Sequence, residues 1–485
     1  MIKINKYNKS LPVFFGTEMW ERYGFYVVQS LLALYLTLQV HMPDEKIYTL
    51  VGSFTALTYI SPIIGGWIAD HFLGQKKAVL AGGVVLFLAY LLLTFSLSLN
   101  HLILSFASIA MGTGLLKPNI SSLLGRQYLP NDPKRNSAFT IFYLGITAGI
   151  ILGTTLPSQL QIWLGWRACF FSAAIGALLS IFVFWTGTKL LNIPEYAVLK
   201  YSAGINWLAA LGLIFLSYFI FYLVLSHPNI ANAFFILVVI WAVLIVLKIA
   251  FFKEQKDQRR KTLSLLILFA VSTCFWAFYF EMFMMLTLFI TRAVNPIVLG
   301  IRFPAPYYVT VESVGMIFFG VFLSKLWTRE TYKNIAFSIS IKFMIAIVFI
   351  LLAYGVILIS SSNTSIDLIS AWPILFAYLL ISLAELMLSP IGLAAVTRLA
   401  GPKVVSTLMG VFFVSLGIGG FLSGQLAKLA AIESTSANLT QIKSAYFHGF
   451  SILSLILIAV LILTGLACWG VKKLSQNIAW EDIGA

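Results

Sequence analysis

Ionisable side chains stand in this chain where apolar ones are expected. Long runs of Leu, Ile, Val and Phe are interrupted by Glu18, Glu21, Arg22, Lys117, Glu281, Glu312, Lys342 and Glu385. A charge at the centre of a bilayer costs about 2.5–3.5 kcal/mol even on the lenient insertion scale, so such residues face a cavity or a partner. The densest group is Glu18-Met-Trp-Glu21-Arg22. Spacings of three and four residues put Glu18, Glu21 and Arg22 on one helical face. Two carboxylates beside one guanidinium leave a surplus negative charge. Either a second cation joins them, with Lys117 the natural candidate, or one carboxyl holds a proton. A carboxyl that alternates between an ion pair and a protonated state is the elementary device of proton coupling. The competing role is a permanent ion pair that only fixes helix register, and four charges exceed what register needs.

The chain that must position these groups has 485 residues, 60% of them hydrophobic and 10% charged, with mean hydropathy +0.95. Soluble domains carry about 25% charged residues. The composition therefore excludes a soluble domain, a disordered chain and a secreted disulfide scaffold. The net charge of +15 reads as the positive-inside bias of a membrane protein, not as a nucleic-acid surface. Cys169, Cys274 and Cys468 lie far apart in apolar stretches. They have no metal or redox spacing and read as small buried hydrophobes. His41, His71, His101, His227 and His448 lie in connections or at span ends without metal spacing, so no metal or cofactor is expected. The first apolar run, from Leu11, carries Glu18, Glu21 and Arg22, so no cleavable signal peptide is expected.

A spanning helix needs about 20 mostly apolar residues. The runs predict fourteen spans, at 11–40, 47–70, 78–99, 101–125, 136–160, 165–187, 204–226, 231–252, 262–292, 304–327, 333–360, 371–400, 404–431 and 443–472. They are too long and too continuously apolar for barrel strands. With Lys3, Lys6 and Lys9 inside, the basic connections fall on the same side. These hold Lys76 and Lys77; Arg126, Lys134 and Arg135; Lys189 and Lys200; Lys253 to Lys261; Lys325, Arg329 and Lys333; Arg398 and Lys403; and Lys472 and Lys473. Both termini are thus expected in the cytoplasm. The layout is six spans, two spans and six spans. It gives an N-terminal bundle over 1–190, a two-helix insertion and basic linker over 191–260, and a C-terminal bundle over 261–485. Two six-helix halves point to a major facilitator fold, an all-α membrane protein. The segment Gly66-Trp-Ile-Ala-Asp70-His-Phe-Leu-Gly74-Gln-Lys76-Lys77 resembles that superfamily's loop signature, with Asp70 placed to cap the next helix or pair with a base. Its counterpart, Gly320 to Lys333, is weak.

More specific motifs follow. Glu18-Met-Trp-Glu21-Arg22-Tyr23-Gly24-Phe25-Tyr26 resembles the ExxERFxYY signature of the proton-dependent oligopeptide transporter (POT/PTR) family. Gly65-Gly66-Trp67-Ile68-Ala69-Asp70, Gly114-Leu-Leu-Lys117-Pro118-Asn119, Phe275-Trp276-Ala277 and Glu385-Leu-Met-Leu-Ser389-Pro390-Ile-Gly392-Leu393 are similar to further motifs of that family. The two extra central helices suit its bacterial members. The resemblance implies proton-driven import of di- and tripeptides by alternating access, with the proton as coupling ion and no cofactor. It implies proton coupling through Glu18, Glu21, Arg22 and Lys117. It also implies a peptide site that includes Arg22, Tyr26, Tyr59, Lys117, Trp276, Glu385 and Ser389, with Glu385 receiving the α-amino group. A zwitterionic ligand needs a cationic and an anionic pole, and Arg22 with Lys117, facing Glu385, would supply both. The implied setting is the bacterial inner membrane, with short peptides, protons and lipid as partners and a monomer as the working unit.

Departures from the family pattern bear on the cargo. Gln29 stands where an arginine is frequent, and Phe280 stands at the acid that pairs with it. Glu281 follows one residue later, turned by about 100° on a helix. Gln29, Glu281 and Glu312 are therefore candidates for a gate or an accessory proton site. Thr147 and Glu312, also counted among the substrate-binding residues, stand where the family has asparagines, and Phe412 stands where it has a tryptophan. An anionic Glu312 would repel a peptide carboxylate unless it were protonated or paired with Lys117 or Arg22. These changes keep a second reading open: the same fold and proton coupling with a non-peptide zwitterion or metabolite as cargo, in either direction. An embedded enzyme would need a nucleophile–base pair or metal cluster in the spans, and none is found. A passive channel would need rings of charge, which are missing.

Overall fold

The computed structural model describes residues 4–128, 134–196, 203–327, 335–362, 367–432 and 438–475. Lys3, Lys200, Arg329 and Lys333, counted above among the basic connections, lie outside them. In hydrocarbon every backbone N–H and C=O needs a partner, and a continuous helix supplies them all internally. The apolar runs accordingly fold as α1 (Ile4–Leu38), α2 (Asp44–Ile68), α3 (Gln75–Thr94), α4 (Leu99–Gly125), α5 (Lys134–Leu164), α6 (Trp166–Leu190), α7 (Ala203–Ser226) and α8 (Pro228–Phe252). They continue as α9 (Lys256–Tyr279), α10 (Met285–Ala293), α11 (Pro306–Trp327), α12 (Ile335–Ser361), α13 (Ala371–Leu399), α14 (Val405–Ala427) and α15 (Leu439–Ser475). Thirteen of the described helical segments are long and apolar enough to cross a membrane. The 35-residue α1 is the remaining span, less apolar because of its mid-helix charges. Each of the fourteen expected spans is helical over most of its described residues, and the protein is a multi-pass membrane protein.

Three local features differ from the sequence reading. The span expected at 262–292 is not one helix. It breaks into α9, a 3-10 turn at Phe280–Phe283, and α10, with Met284 at φ −129° and ψ −99°. The freed backbone finds local partners: Met284 N–H donates to Glu281 O, and the Thr287 hydroxyl to Met282 O. Glu281 therefore sits in a turn, and the 100° offset from Phe280 on an uninterrupted helix does not apply. The second feature is a small antiparallel hairpin, Ile297–Val298 with Ile301–Arg302. Leu299 and Gly300 close it with φ of 52° and 78°, the pair of positive values that a type I′ turn requires. The third corrects the expectation for Asp70. That residue is exposed, and the start of α3 is capped by Glu195, whose carboxylate accepts from the N–H groups of Lys76, Lys77 and Tyr196 at 2.8, 3.1 and 3.1 Å. A carboxylate there satisfies donors that the first turn leaves open and complements the helix dipole.

The chain forms two compact units: residues 1–35 with 53–231, and residues 36–52 with 232–485. The first unit is built on backbone-to-backbone contacts between helices. A Cβ on Gly65 would lie 2.0 Å from Gly114 O, and one on Gly82 would lie 2.7 Å from Gly112 O, so α2 and α3 both cross α4 at glycines. Along α5, Gly145, Gly149 and Gly153 recur every four residues. Cβ atoms there would meet Phe15 O, Met19 O and Tyr23 O of α1 at 3.0, 2.5 and 2.7 Å. This is the small-residue packing that lets spanning helices approach closely. In the second unit, Gly315 of α11 faces the Ser382 hydroxyl of α13, Gly419 of α14 faces Trp276 of α9, and Gly424 faces Tyr48 O.

Candidate functional site

The glycine column of α5 presses α1 at the level of its charges, since the Gly149 position also lies against Arg22 Cβ. There Arg22 forms a two-pronged bond to its chain neighbour: Nε to Glu21 Oε2 at 2.5 Å and Nη2 to Glu21 Oε1 at 2.6 Å. Arg22 Nε stands 3.6 Å from Glu18 Oε1. Glu18, Glu21 and Arg22 are 1%, 1% and 3% exposed. The two carboxylates are thus unequal. Glu21 is clamped, whereas neither oxygen of Glu18 has a hydrogen bond among the described residues. Lys117 of α4 lies near enough to act electrostatically on Glu18, Glu21 and Arg22, but among the described residues no ion pair joins it to either carboxylate. Its ammonium lies 5.3 Å from the centre of the Tyr59 ring, a cation–π distance. Pro118 follows, and Asn119 ties the helices together through Nδ2 to Leu115 O at 2.7 Å and to Gly65 O at 3.4 Å. Tyr26 is partly exposed on α1, and Gln29 is buried with Nε2 on the Thr55 hydroxyl at 3.0 Å. The Thr147 hydroxyl donates to Tyr143 O at 3.2 Å.

The second unit holds a different group. Glu385 of α13 accepts a 2.5 Å hydrogen bond from the Tyr279 hydroxyl at the end of α9. Glu312 of α11 is 2% exposed, accepts from the Ser313 hydroxyl at 3.2 Å, and lies within hydrogen-bonding range of Glu385. Gly315 and Ser382, each three residues from these acids, bring the two helices together. Within this unit the neighbour of Glu312 is thus a second carboxyl. Ser389 lies one turn beyond Glu385 and is partly exposed. Trp276 is 3% exposed and stacks on Phe280 at 5.4 Å. Phe412 fills the notch left by Gly392, where a Cβ would lie 2.5 Å from its ring. Phe412 thus packs α14 against α13. Glu281 is fully buried beside Ser423 and the Met285 N–H, with Tyr48 and Tyr354 close by.

Sequence reasoning missed one further group. Arg292 at the end of α10 holds Asp44 at the start of α2 through both nitrogens, at 2.6 and 2.7 Å, and Tyr446 of α15 at 3.0 Å. Asp44 also accepts from the Ile432 N–H at 3.1 Å. The partners are 248 residues apart, so no local spacing announces the pair. The signal available was only that each charge ends an apolar run. Tyr279, which holds Glu385, was passed over for the same reason.

The sequence profile described as PTR2, POT family, matches residues 76–446. The chain belongs to the POT family. A POT-family relative in Salmonella typhimurium, named dipeptide and tripeptide permease B, is 28% identical over 458 residues, covering 92% of each chain. Dipeptide and tripeptide permease A of the same organism is 29% identical over 446 residues, 88% of this chain and 85% of its own. Two crystal structures of the peptide transporter POT superpose over 97% of this chain and 96% of theirs. One, in complex with sulfate, has a TM-score of 0.81 at 26% identity. The other, a mutant in complex with alafosfalin, has a TM-score of 0.82 at 25% identity.

Proposed function

We propose that this POT-family protein is a proton-coupled secondary transporter that imports di- and tripeptides by alternating access across a bacterial cytoplasmic membrane, with both termini inside. The observation that carries the reading is the inequality of Glu18 and Glu21. Arg22 already neutralises Glu21, so Glu18 depends on Lys117 or on a proton for its charge balance. A ligand carboxylate that engages Lys117 removes that balance, and Glu18 then takes up a proton. Ligand and proton are thereby loaded together, because a buried carboxylate without compensation is several kcal/mol too costly. The acidic pair on α11 and α13 suits the ammonium end of a peptide. The names of the permease relatives support peptides as the cargo class.

The test is uptake of labelled dialanine and trialanine into proteoliposomes under an inward proton gradient. Accumulation that collapses when the gradient is dissipated is expected. Gradient-independent, background-level uptake of every peptide tried would overturn the peptide reading. A proton-coupled non-peptide zwitterion would then be the cargo to seek, as Thr147 and Glu312 suggest.

A further inference from the structure

The pair of carboxyl groups on α11 and α13 has a property that a single acid there would lack. Two carboxyl groups at hydrogen-bonding range repel as dianions and attract when one of them donates. Here Glu312 is 2% exposed, and its Oε1 has no hydrogen bond among the described residues. The other titratable groups that bear on it are Glu385 and Tyr378 of α13 and Tyr279 of α9. None of these is a cation. Tyr279 donates its one proton to Glu385 Oε2, and Ser313 donates to Glu312 Oε2. A proton held between the two acids would supply a donor to this pair.

We propose that Glu312 and Glu385 share one proton in the empty protein, and that the ammonium group of the cargo displaces it. The inference rests on the peptide reading above and adds to it a specific role for Glu312. The exchange balances. A cargo ammonium (+1) meets a carboxylic acid–carboxylate pair (−1). The O–H bond of the acid breaks, the ammonium is held by two carboxylates, and one proton leaves to water. An ammonium has three N–H donors, which match acceptors on Glu312, Glu385 and Tyr279. Proton release here runs against the proton uptake proposed at Glu18. The protons taken up per peptide therefore depend on this pair.

The experiment measures protons exchanged when dialanine binds to the purified protein in weakly buffered detergent solution at neutral pH, using a pH-indicator dye. Wild type is expected to release about one proton more per bound peptide than Glu312→Gln, each measured at a dialanine concentration that saturates it. N-acetyl-dialanine, which lacks the ammonium, should show no such difference. A second readout needs no variant. Infrared difference spectra of wild type should lose a protonated-carboxyl band when dialanine binds and keep it with N-acetyl-dialanine. Equal proton counts in wild type and Glu312→Gln, or an unchanged carboxyl band, would overturn the exchange and leave peptide transport standing. If wild type neither binds nor transports any peptide, the peptide reading fails and the exchange fails with it.

Discussion

Arg22 spends its strongest bonds on its own chain neighbour. That leaves Glu18 as the member of the cluster whose charge is set by what else enters the site. The three variants of this group should therefore fail differently. Glu18→Gln keeps the shape and the Glu21–Arg22 clamp. It should lose gradient-driven accumulation by at least about 10-fold yet still exchange dialanine across the membrane when peptide is present on both sides. That outcome follows if Glu18 handles only the proton, since a tenfold effect corresponds to about 1.4 kcal/mol of coupling. Counterflow that disappears together with accumulation would place Glu18 in peptide binding instead. Lys117→Ala should abolish both, because it removes the proposed carboxylate partner. Glu21→Gln should abolish accumulation and also lower the melting temperature, since it removes the two-pronged clamp on Arg22 and leaves the buried cluster with one cation in surplus, a loss of about 3–5 kcal/mol.

Helices place these residues through contacts that tolerate no added carbon. A methyl group at Gly149 would stand 2.5 Å from Met19 O and 2.7 Å from Arg22 Cβ, whereas one at Gly212 of α7 has nothing within 4 Å. Gly149→Ala should cost about 1–3 kcal/mol through overpacking. Gly212→Ala should be neutral or slightly stabilising, because alanine is the better helix former. Thermal unfolding of the two variants in detergent compares them directly. Capping of α3 gives a second comparison: Glu195→Ala should cost about 1 kcal/mol, and Asp70→Ala, on an exposed position, much less. The sequence made the spans legible because apolar length alone decides them. It also exposed the ion cluster, because charges within an apolar run stand out. It did not reveal the break after Tyr279, where no proline or glycine marks the end of α9, or the cap from Glu195, which reaches back 119 residues to Lys76. It put Glu312 in the membrane without its partner, since nothing in one helix states which face of another it meets.

At the scale of the molecule, one distant pair of charges is matched among the described residues, and the basic connections are expected on one side of the membrane. Asp44 and Arg292 pair across 248 residues, with the Tyr446 hydroxyl accepting from Arg292 and the Ile432 N–H donating to Asp44. Arg292→Gln should lower stability by about 1.5–3 kcal/mol, and Asp44→Asn should lower it by a similar amount. The double variant should cost less than the sum, which thermal unfolding of the four proteins tests as a double-mutant cycle. The basic stretch Lys253–Lys261 and the hairpin at Ile297–Arg302 are expected on opposite faces of the membrane. A membrane-impermeant maleimide applied to intact cells should label Ile297→Cys and spare Lys256→Cys. The reverse pattern would invert the topology.

The bonding of Glu21 to Arg22 within one helix also bears on how the protein is made. Span α1 precedes α4 and α5 in the chain and is poorly suited to leave the translocon alone, since each isolated charge costs it about 2.5–3.5 kcal/mol. By carrying the guanidinium and its counter-ion on adjacent residues, α1 enters lipid with that pair already neutralised. Only Glu18 is left to be matched. Lys117, the cation proposed to balance it, arrives with α4, and the glycine column that covers the cluster arrives with α5. Stable insertion of α1 is thus expected to wait for α4 and α5. Nascent chains truncated before α4 should remain extractable by alkali, whereas chains that extend past α5 should not.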